Sequence, residues 1–228
     1  MLNMPVLFIN FKTYEEATGP KAAQLAKFAE AEALAQKASI VLVVQTADIR
    51  LVSNAVDMPV FAQHVDAIEY GAHTGHILPE SVRLAGATGT VLNHAEHKLD
   101  DALLEKTIAR AHDAGLQVMA CAETVERAVA IATFEHKPEL IAIEPPELIG
   151  GKVSVSEAKP EIITDAVEKI HAVEPEIAVI TGAGIHTAED VRKALALGTN
   201  GVFVASGIVK ASDQRQAIRE LLQGFLEE

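Results

Sequence analysis

The sequence has a single cysteine, Cys121, so no disulfide can form within the chain. One thiol in the apolar run from Leu116 to Ala122 reads as a small core residue and suits a reducing compartment. Also missing is an uncharged apolar run of the roughly 18 residues that a spanning helix needs. The N-terminus lacks the basic segment, apolar stretch and small-residue cleavage site of an export signal. These absences predict a cytoplasmic protein that does not engage a membrane. Positive charge is scarce too. Nineteen Lys and Arg stand against 32 Asp and Glu, a formal net charge of −13, which argues against nucleic acid as a partner. A small anionic substrate is still compatible, because a few backbone amides and one lysine can hold a phosphate inside an acidic surface.

No low-complexity stretch or linker interrupts the chain, so residues 1–228 are expected to form one domain, in the range where α/β barrels run as a single unit. Apolar, β-branched runs recur with helical segments between them. Strands are predicted at Val6–Lys12, Ile40–Gln45, Val60–His64, Thr90–His94, Gln117–Cys121, Leu140–Glu144, Ile177–Thr181 and Gly201–Ala205. Each is nearly continuous in apolar character, as parallel strands covered on both faces must be. Helical spacing lies between them: Ile163, Ala166, Val167 and Ile170 share one face, as do Ile218, Leu221, Leu222 and Phe225. Pro79, Pro160 and the pair Thr187/Asp190 mark helix starts. Eight strand–helix units at this length predict a single-domain (β/α)₈ TIM barrel. A doubly wound open sheet would usually carry a glycine-rich turn after its first strand, and that turn here reads Asn10-Phe11-Lys12-Thr13-Tyr14.

In such a barrel, chemistry sits at the C-terminal ends of the strands. Strand one ends in Asn10 and Lys12, two residues apart and so expected on one side of the sheet. Strand four ends in His94, and strand six in Glu144. Taken singly, these also read as an exposed lysine, a hydrogen-bonded structural histidine and a solvated loop carboxylate. Convergence on one mouth favours the functional reading. Glu144 leads into Pro145-Pro146 and, further on, Gly150-Gly151: a stiff start and a free end, as on a hinged lid. Glu147, inside that segment, reads as a solvated charge or an ion-pair partner. Gly182, Gly184, Ala205, Ser206 and Gly207 follow strands seven and eight, where glycines let backbone amides approach an anion and barrels recurrently place a phosphate site. No metal is expected. His94, Glu96 and His97 do not follow the helical two-histidine zinc spacing, and His73 and His76 lie in a turn-rich loop without a cysteine or carboxylate partner.

Read together, Asn10-Phe11-Lys12, Ala62-Gln63-His64, Gly71 to Gly75, Leu92-Asn93-His94-Ala95-Glu96, Glu144 to Gly150, Gly182-Ala183-Gly184 and Ala205-Ser206-Gly207 resemble, in order and spacing, the triosephosphate isomerase family, particularly its shorter archaeal form. The resemblance runs from end to end. It implies isomerisation of D-glyceraldehyde 3-phosphate and dihydroxyacetone phosphate through an enediol(ate), with no metal or organic cofactor. It implies Glu144 as the base, His94 as the neutral electrophile, Lys12 as the charge partner and Asn10 as an orienting group. Glu96 would help hold the site and pair with Lys12 in the absence of substrate. Amides around Ile149, Gly150, Gly182, Gly184, Ala205 and Ser206 would grip the phosphate. It further implies a homo-oligomer, dimer or tetramer, in which His73, Thr74 and Gly75 enter the neighbouring subunit and Thr74 approaches its Asn10 and Lys12.

Three positions depart from the family pattern. Ala95 stands where serine usually follows the histidine, Gly151-Lys152 ends the lid in place of a small residue such as threonine, and Thr181 to Gly184 replaces the serine-containing loop of bacterial and eukaryotic members, as in archaeal ones. None removes a catalytic group. The competing reading, another phosphate-binding barrel such as a ketose-phosphate aldolase, needs a Schiff-base lysine, usually at the end of strand six, where this chain has Glu144. A barrel that only binds or assembles would be expected to lose part of the catalytic set, and Asn10, Lys12, His94 and Glu144 are all present.

Overall fold

Eight parallel strands close into a barrel: β1 (Val6–Asn10), β2 (Ser39–Val44), β3 (Val60–Ala62), β4 (Gly89–Leu92), β5 (Gln117–Ala122), β6 (Leu140–Ile143), β7 (Ala178–Thr181) and β8 (Gly201–Val204). They pair in chain order, and β8 returns to β1 through Val6↔Gly201 to Ile9↔Val204. The computed structural model describes residues 2–145 and 160–226. Helices over those residues are α1 (Pro20–Gln36), α2 (Ile49–Ser53), α3 (Pro79–Ala85), α4 (Asp101–Asp113), α5 (Val125–Ala132), α6 (Pro160–Val173), α7 (Ala188–Ala196), α8 (Ser206–Val209) and α9 (Gln214–Leu222).

Alternation along each strand sorts the apolar residues into two cores. Val6, Phe8, Val41, Val43, Phe61, Val91, Met119, Cys121, Leu140, Ala142, Ile180 and Phe203 form one cluster, filling the barrel. Leu7, Ile9, Ile40, Leu42, Ile141 and Val179, one residue out of step, pack in the other with the buried faces of the helices. Phe8 meets Phe61 and Phe203 edge-on at 5.7 and 6.3 Å. A side chain at Gly89 would collide with the Phe61 ring, so the ring occupies the space of a missing Cβ at the start of β4. Burying each large apolar side chain contributes about 1.5–3 kcal/mol, and this doubled core holds the strand ends in place.

All eight predicted strands are present, and several are shorter at their C-terminal ends than the apolar pattern implies. Lys12, Gln45, His64, His94, Glu144 and Ala205 all lie just past the last paired residue. The chain turns there. Lys12 and Asn93 have φ of 47° and 57°, left-handed values that a bulky residue rarely adopts. The Lys12 turn is held by its N–H donating to Asn10 Oδ1 (2.9 Å) and by its carbonyl accepting from Gln63 Nε2 (2.8 Å). Asn93 donates through Nδ2 to the Cys121 carbonyl (2.8 Å) and accepts from Leu99 N (2.9 Å), which ties the turn before His94 to β5. Pro79 and Pro160 open α3 and α6, and Thr187 with Asp190 forms a capping box at the start of α7.

Candidate active site

The turns at the C-terminal end of the barrel gather Asn10, Lys12, His94, Glu96 and Glu144 around one cavity of about 270 Å³, whose far wall is Gly184, Ile185, His186, Ser206 and Gly207. That size suits a small metabolite. Asn10 and Lys12 do face the same mouth. The cause is the left-handed turn at Lys12 rather than strand alternation, because β1 stops at Asn10.

Glu144 is 4% exposed, at the end of β6, and burial pushes its carboxyl up to about 7. Opposing that rise are a hydrogen bond from the Cys121 thiol and the charge of Lys12. Its Oε2 has no hydrogen-bond partner among the described residues; His94 Nε2 lies 3.7 Å away. A Cβ on Gly182 would stand 2.4 Å from Glu144 Cγ, so glycine at the end of β7 is what lets the carboxylate lie across that strand. A buried carboxylate at the edge of a cavity, with one oxygen unpaired and an affinity for protons near neutrality, can serve as a general base.

His94 is equally enclosed. Its Nδ1 accepts the Glu96 backbone N–H (3.1 Å), which leaves the ring proton on Nε2, the nitrogen that faces Glu144. Burial first, and the charge of Lys12 second, lower its pKa to about 4. The ring is therefore a neutral donor near pH 7. Lys12 Nζ binds Glu96 Oε1 at 2.7 Å, the pairing expected when no substrate is present. Glu96 is largely exposed, so the lysine is tethered at the entrance and can exchange that partner for another anion.

Of the predicted phosphate-binding residues, Gly182, Gly184, Ala205 and Ser206 line this cavity. Gly184 takes φ 70°, a left-handed turn that glycine adopts without strain. Ile149 and Gly150 lie outside the described residues, as do Pro146, Glu147, Gly151 and Lys152. Cys121, read from the sequence as core packing, is buried inside the barrel and also donates to Glu144. Pairing of β5 with β6 placed it there; no sequence pattern marks that contact. Tyr14 and His186 also line the cavity and carried no signal of their own. Among the described residues, no group of three or more His, Cys, Asp or Glu is arranged to hold a metal.

Beside the Lys12–Glu96 pair, a second cavity of about 280 Å³ is lined by Gln45, Thr46, Gln63, His64 and His97, with Asn10, Lys12, His94 and Glu96 shared between the two. Near it the loop after β3 projects, exposed from Glu69 to His76. Its root is fixed: Asp66 Oδ2 accepts from Ile77 N (2.6 Å), and Arg110 donates twice to the Ile68 carbonyl (3.0 and 2.9 Å). His73, Thr74 and Gly75 thus sit at the tip of a braced loop, away from their own active cavity.

The profile of the triosephosphate isomerase family matches residues 5–221. A triosephosphate isomerase from Methanobacterium bryantii is 44% identical over 218 residues, covering 96% of each chain. Those of Methanothermus fervidus and Archaeoglobus fulgidus are 41% and 40% identical, each covering 97% of this chain and 99% of its own. Among solved structures, triosephosphate isomerase from Bartonella henselae superposes with a TM-score of 0.73 over 94% of this chain and 98% of that one; at 18% identity the likeness speaks to fold alone.

Proposed function

The chain belongs to the triosephosphate isomerase family, and from that premise we propose how its residues interconvert D-glyceraldehyde 3-phosphate and dihydroxyacetone phosphate. Glu144 takes a proton from the carbon beside the carbonyl and returns it to the neighbouring carbon. His94 Nε2–H donates to the carbonyl oxygen as negative charge develops there and passes protons between the two oxygens. Lys12, released from Glu96, offsets the charge of phosphate and enediolate, and Asn10 orients the substrate. Backbone amides at Gly182, Gly184, Ala205 and Ser206, with Ile149 and Gly150, hold the phosphate. The observation that carries this reading is the buried Glu144 carboxylate, with Oε2 3.7 Å from the protonated nitrogen of a neutral His94 at one cavity. An aldolase is not favoured, since Glu144 stands where its Schiff-base lysine would be.

The whole chain acts as one barrel domain, in the cytoplasm. It assembles as a homo-oligomer in which His73, Thr74 and Gly75 enter the second cavity of a neighbouring copy and support its Lys12. The braced, exposed loop and the cavity beside Asn10 and Lys12 support that assembly. Sedimentation at micromolar concentration tests it, and a monomer would overturn it.

A coupled assay with glyceraldehyde 3-phosphate on wild type and Glu144→Ala tests the chemistry. No wild-type turnover at neutral pH would sink the reaction, and a fully active variant would sink the base. Millimolar 2-phosphoglycolate, an enediolate mimic, is expected to raise the melting temperature by binding only the folded state.

A further inference from the structure

Histidines stand on both sides of the contact that self-assembly would make. In the second cavity the rings of His64, just past β3, and His97, just past β4, lie 4.2 Å apart and 32° from parallel. Asp66 Oδ1 stands 3.4 Å from His64 Nε2, and its other oxygen accepts the Ile77 amide at 2.6 Å. Among the described residues, the other titratable groups lining this cavity are Lys12, Glu96 and His94, which are already tied together. Lys12 holds Glu96 at 2.7 Å, and His94 Nδ1 accepts the Glu96 amide. The loop that would enter carries His73 and His76, with rings 6.1 Å apart, and no carboxylate from Gly71 to Leu78; Glu69 stands at its base. Neither face therefore brings a free anion to the imidazole pair.

We infer that the stacked His64 and His97 make self-association proton-linked: a neighbouring copy's loop is held while both rings are neutral and is released as they take up protons. Burial first and His97 second already lower the proton affinity of His64, and Asp66 restores only part of it. A loop laid over the pair would strip more water from it and supply imidazoles in place of a carboxylate. Both effects disfavour the cationic form further. Closing the contact thus expels protons, and by reciprocity protons open it, in the weakly acidic range where imidazoles titrate. The consequence reaches the active site. Lys12 lines both cavities, and the turn that carries it is held by Gln63, the neighbour of His64.

The inference rests on the assembly proposed above, and the experiment keeps the two apart. Light and isotopically heavy copies of the full chain are mixed at pH 8 and at pH 5.5. Mixed oligomers are followed by native mass spectrometry, with far-UV circular dichroism confirming the fold at each pH. Wild type is expected to exchange subunits about tenfold faster at pH 5.5, the scale of one linked proton over a unit of pH, carried mainly by the dissociation rate. The double variant His64→Gln/His97→Gln keeps polar side chains of similar size with nothing to titrate, and should exchange equally at both pH values. His97→Gln alone, at an exposed position, should lose part of the acceleration and remains as the test should the double variant not fold. Wild-type exchange that ignores pH overturns the inference, as does an acceleration equally large in the glutamine variants. A wild-type monomer at pH 8 overturns the assembly and this inference with it.

Discussion

Glu144 and Glu32 are both nearly closed to solvent, 4% and 2% exposed, and they behave in opposite ways. Glu144 lies deep in the barrel mouth, and Glu32 lies near the surface beneath two arginines. Glu144, at the mouth of the barrel, is pushed up to about 7 because burial outweighs the Cys121 thiol and the Lys12 charge. Glu32, on α1 at the outer wall, is pulled down to about 2 by hydrogen bonds from Arg219 and then Arg215, which outweigh its burial. Arg215 Nε meets Oε1 at 2.6 Å, and Arg219 spans both oxygens at 2.9 Å. The two guanidinium groups are about half exposed, so Glu32 is covered by solvated cations that lock α1 to α9. Depth of burial and the partners on the two oxygens together decide the outcome for a carboxylate. Satisfied on both oxygens, it is a clasp. With one oxygen unpaired at the edge of a cavity, it can serve as a base.

The largest break in that comparison is removal of the base. Glu144→Ala should lose about 10³-fold or more in turnover, the scale of a positioned base together with its preorganised site. Glu32→Ala should leave turnover close to wild type at temperatures where it stays folded. The wild-type pH profile sharpens the contrast. With Glu144 titrating near 7, kcat/KM should fall about tenfold per pH unit on the acid side of that value, while His94, neutral above about 4, sets no limit there. A flat profile between pH 5 and 8 would contradict the base.

Stability should move in opposite directions at the two sites. The folded value of Glu144 lies above its ordinary 4.5, so the native state is favoured while the group is protonated and loses ground as pH rises through about 7. Glu144→Gln is thus expected to match wild type near pH 4.5 and to exceed it at pH 8 by up to roughly 3 kcal/mol in chemical denaturation. Glu32 has the reverse sign. Its contribution is complete above 4.5 and is lost as pH falls toward about 2. Replacing Arg215 and Arg219 together by alanine removes both partners of that carboxylate and should lower the melting temperature at pH 7, by less than loss of a fully enclosed pair would because water reaches Glu32 once the arginines are gone. A melting temperature unchanged in the double variant would mean the clasp adds nothing.

These two sites also differ in how much of them could be read in advance. Continuous apolar runs announce β1, β4 and β6, and so the strand ends where Lys12, His94 and Glu144 stand; the motif resemblance then named their roles. Glu32 gave no comparable signal, since a charge on α1 looks solvated until α9, nearly two hundred residues later, folds back against it. Strand ends were overrun for a related reason. The left-handed turns at Lys12 and Asn93 depend on side-chain bonds from Gln63 and to Cys121, which hydrophobic periodicity does not encode. The same holds for the proton on His94 Nε2, which is fixed by the Glu96 amide, and for the cavity wall at His186.

Cys121 offers the smallest test and the most discriminating one. Its thiol lies inside the barrel under Glu144, and its hydrogen bond is the foremost influence holding the carboxyl below the value burial alone would set. The thiol itself is pushed well up by burial and by Glu144, so it stays protonated and can only donate. Cys121→Ala removes that donor with little change in volume and should move the acid limb of the kcat/KM profile upward by a few tenths of a pH unit. Cys121→Ser offers a stronger O–H donor and should move it downward by a similar amount, at the expense of some stability from a hydroxyl in an apolar core. Simple loss of packing would shift both variants the same way. Opposite shifts would show that a neutral donor beneath Glu144 tunes the base, giving this open site a weak version of the partnering that arginines supply in full at Glu32.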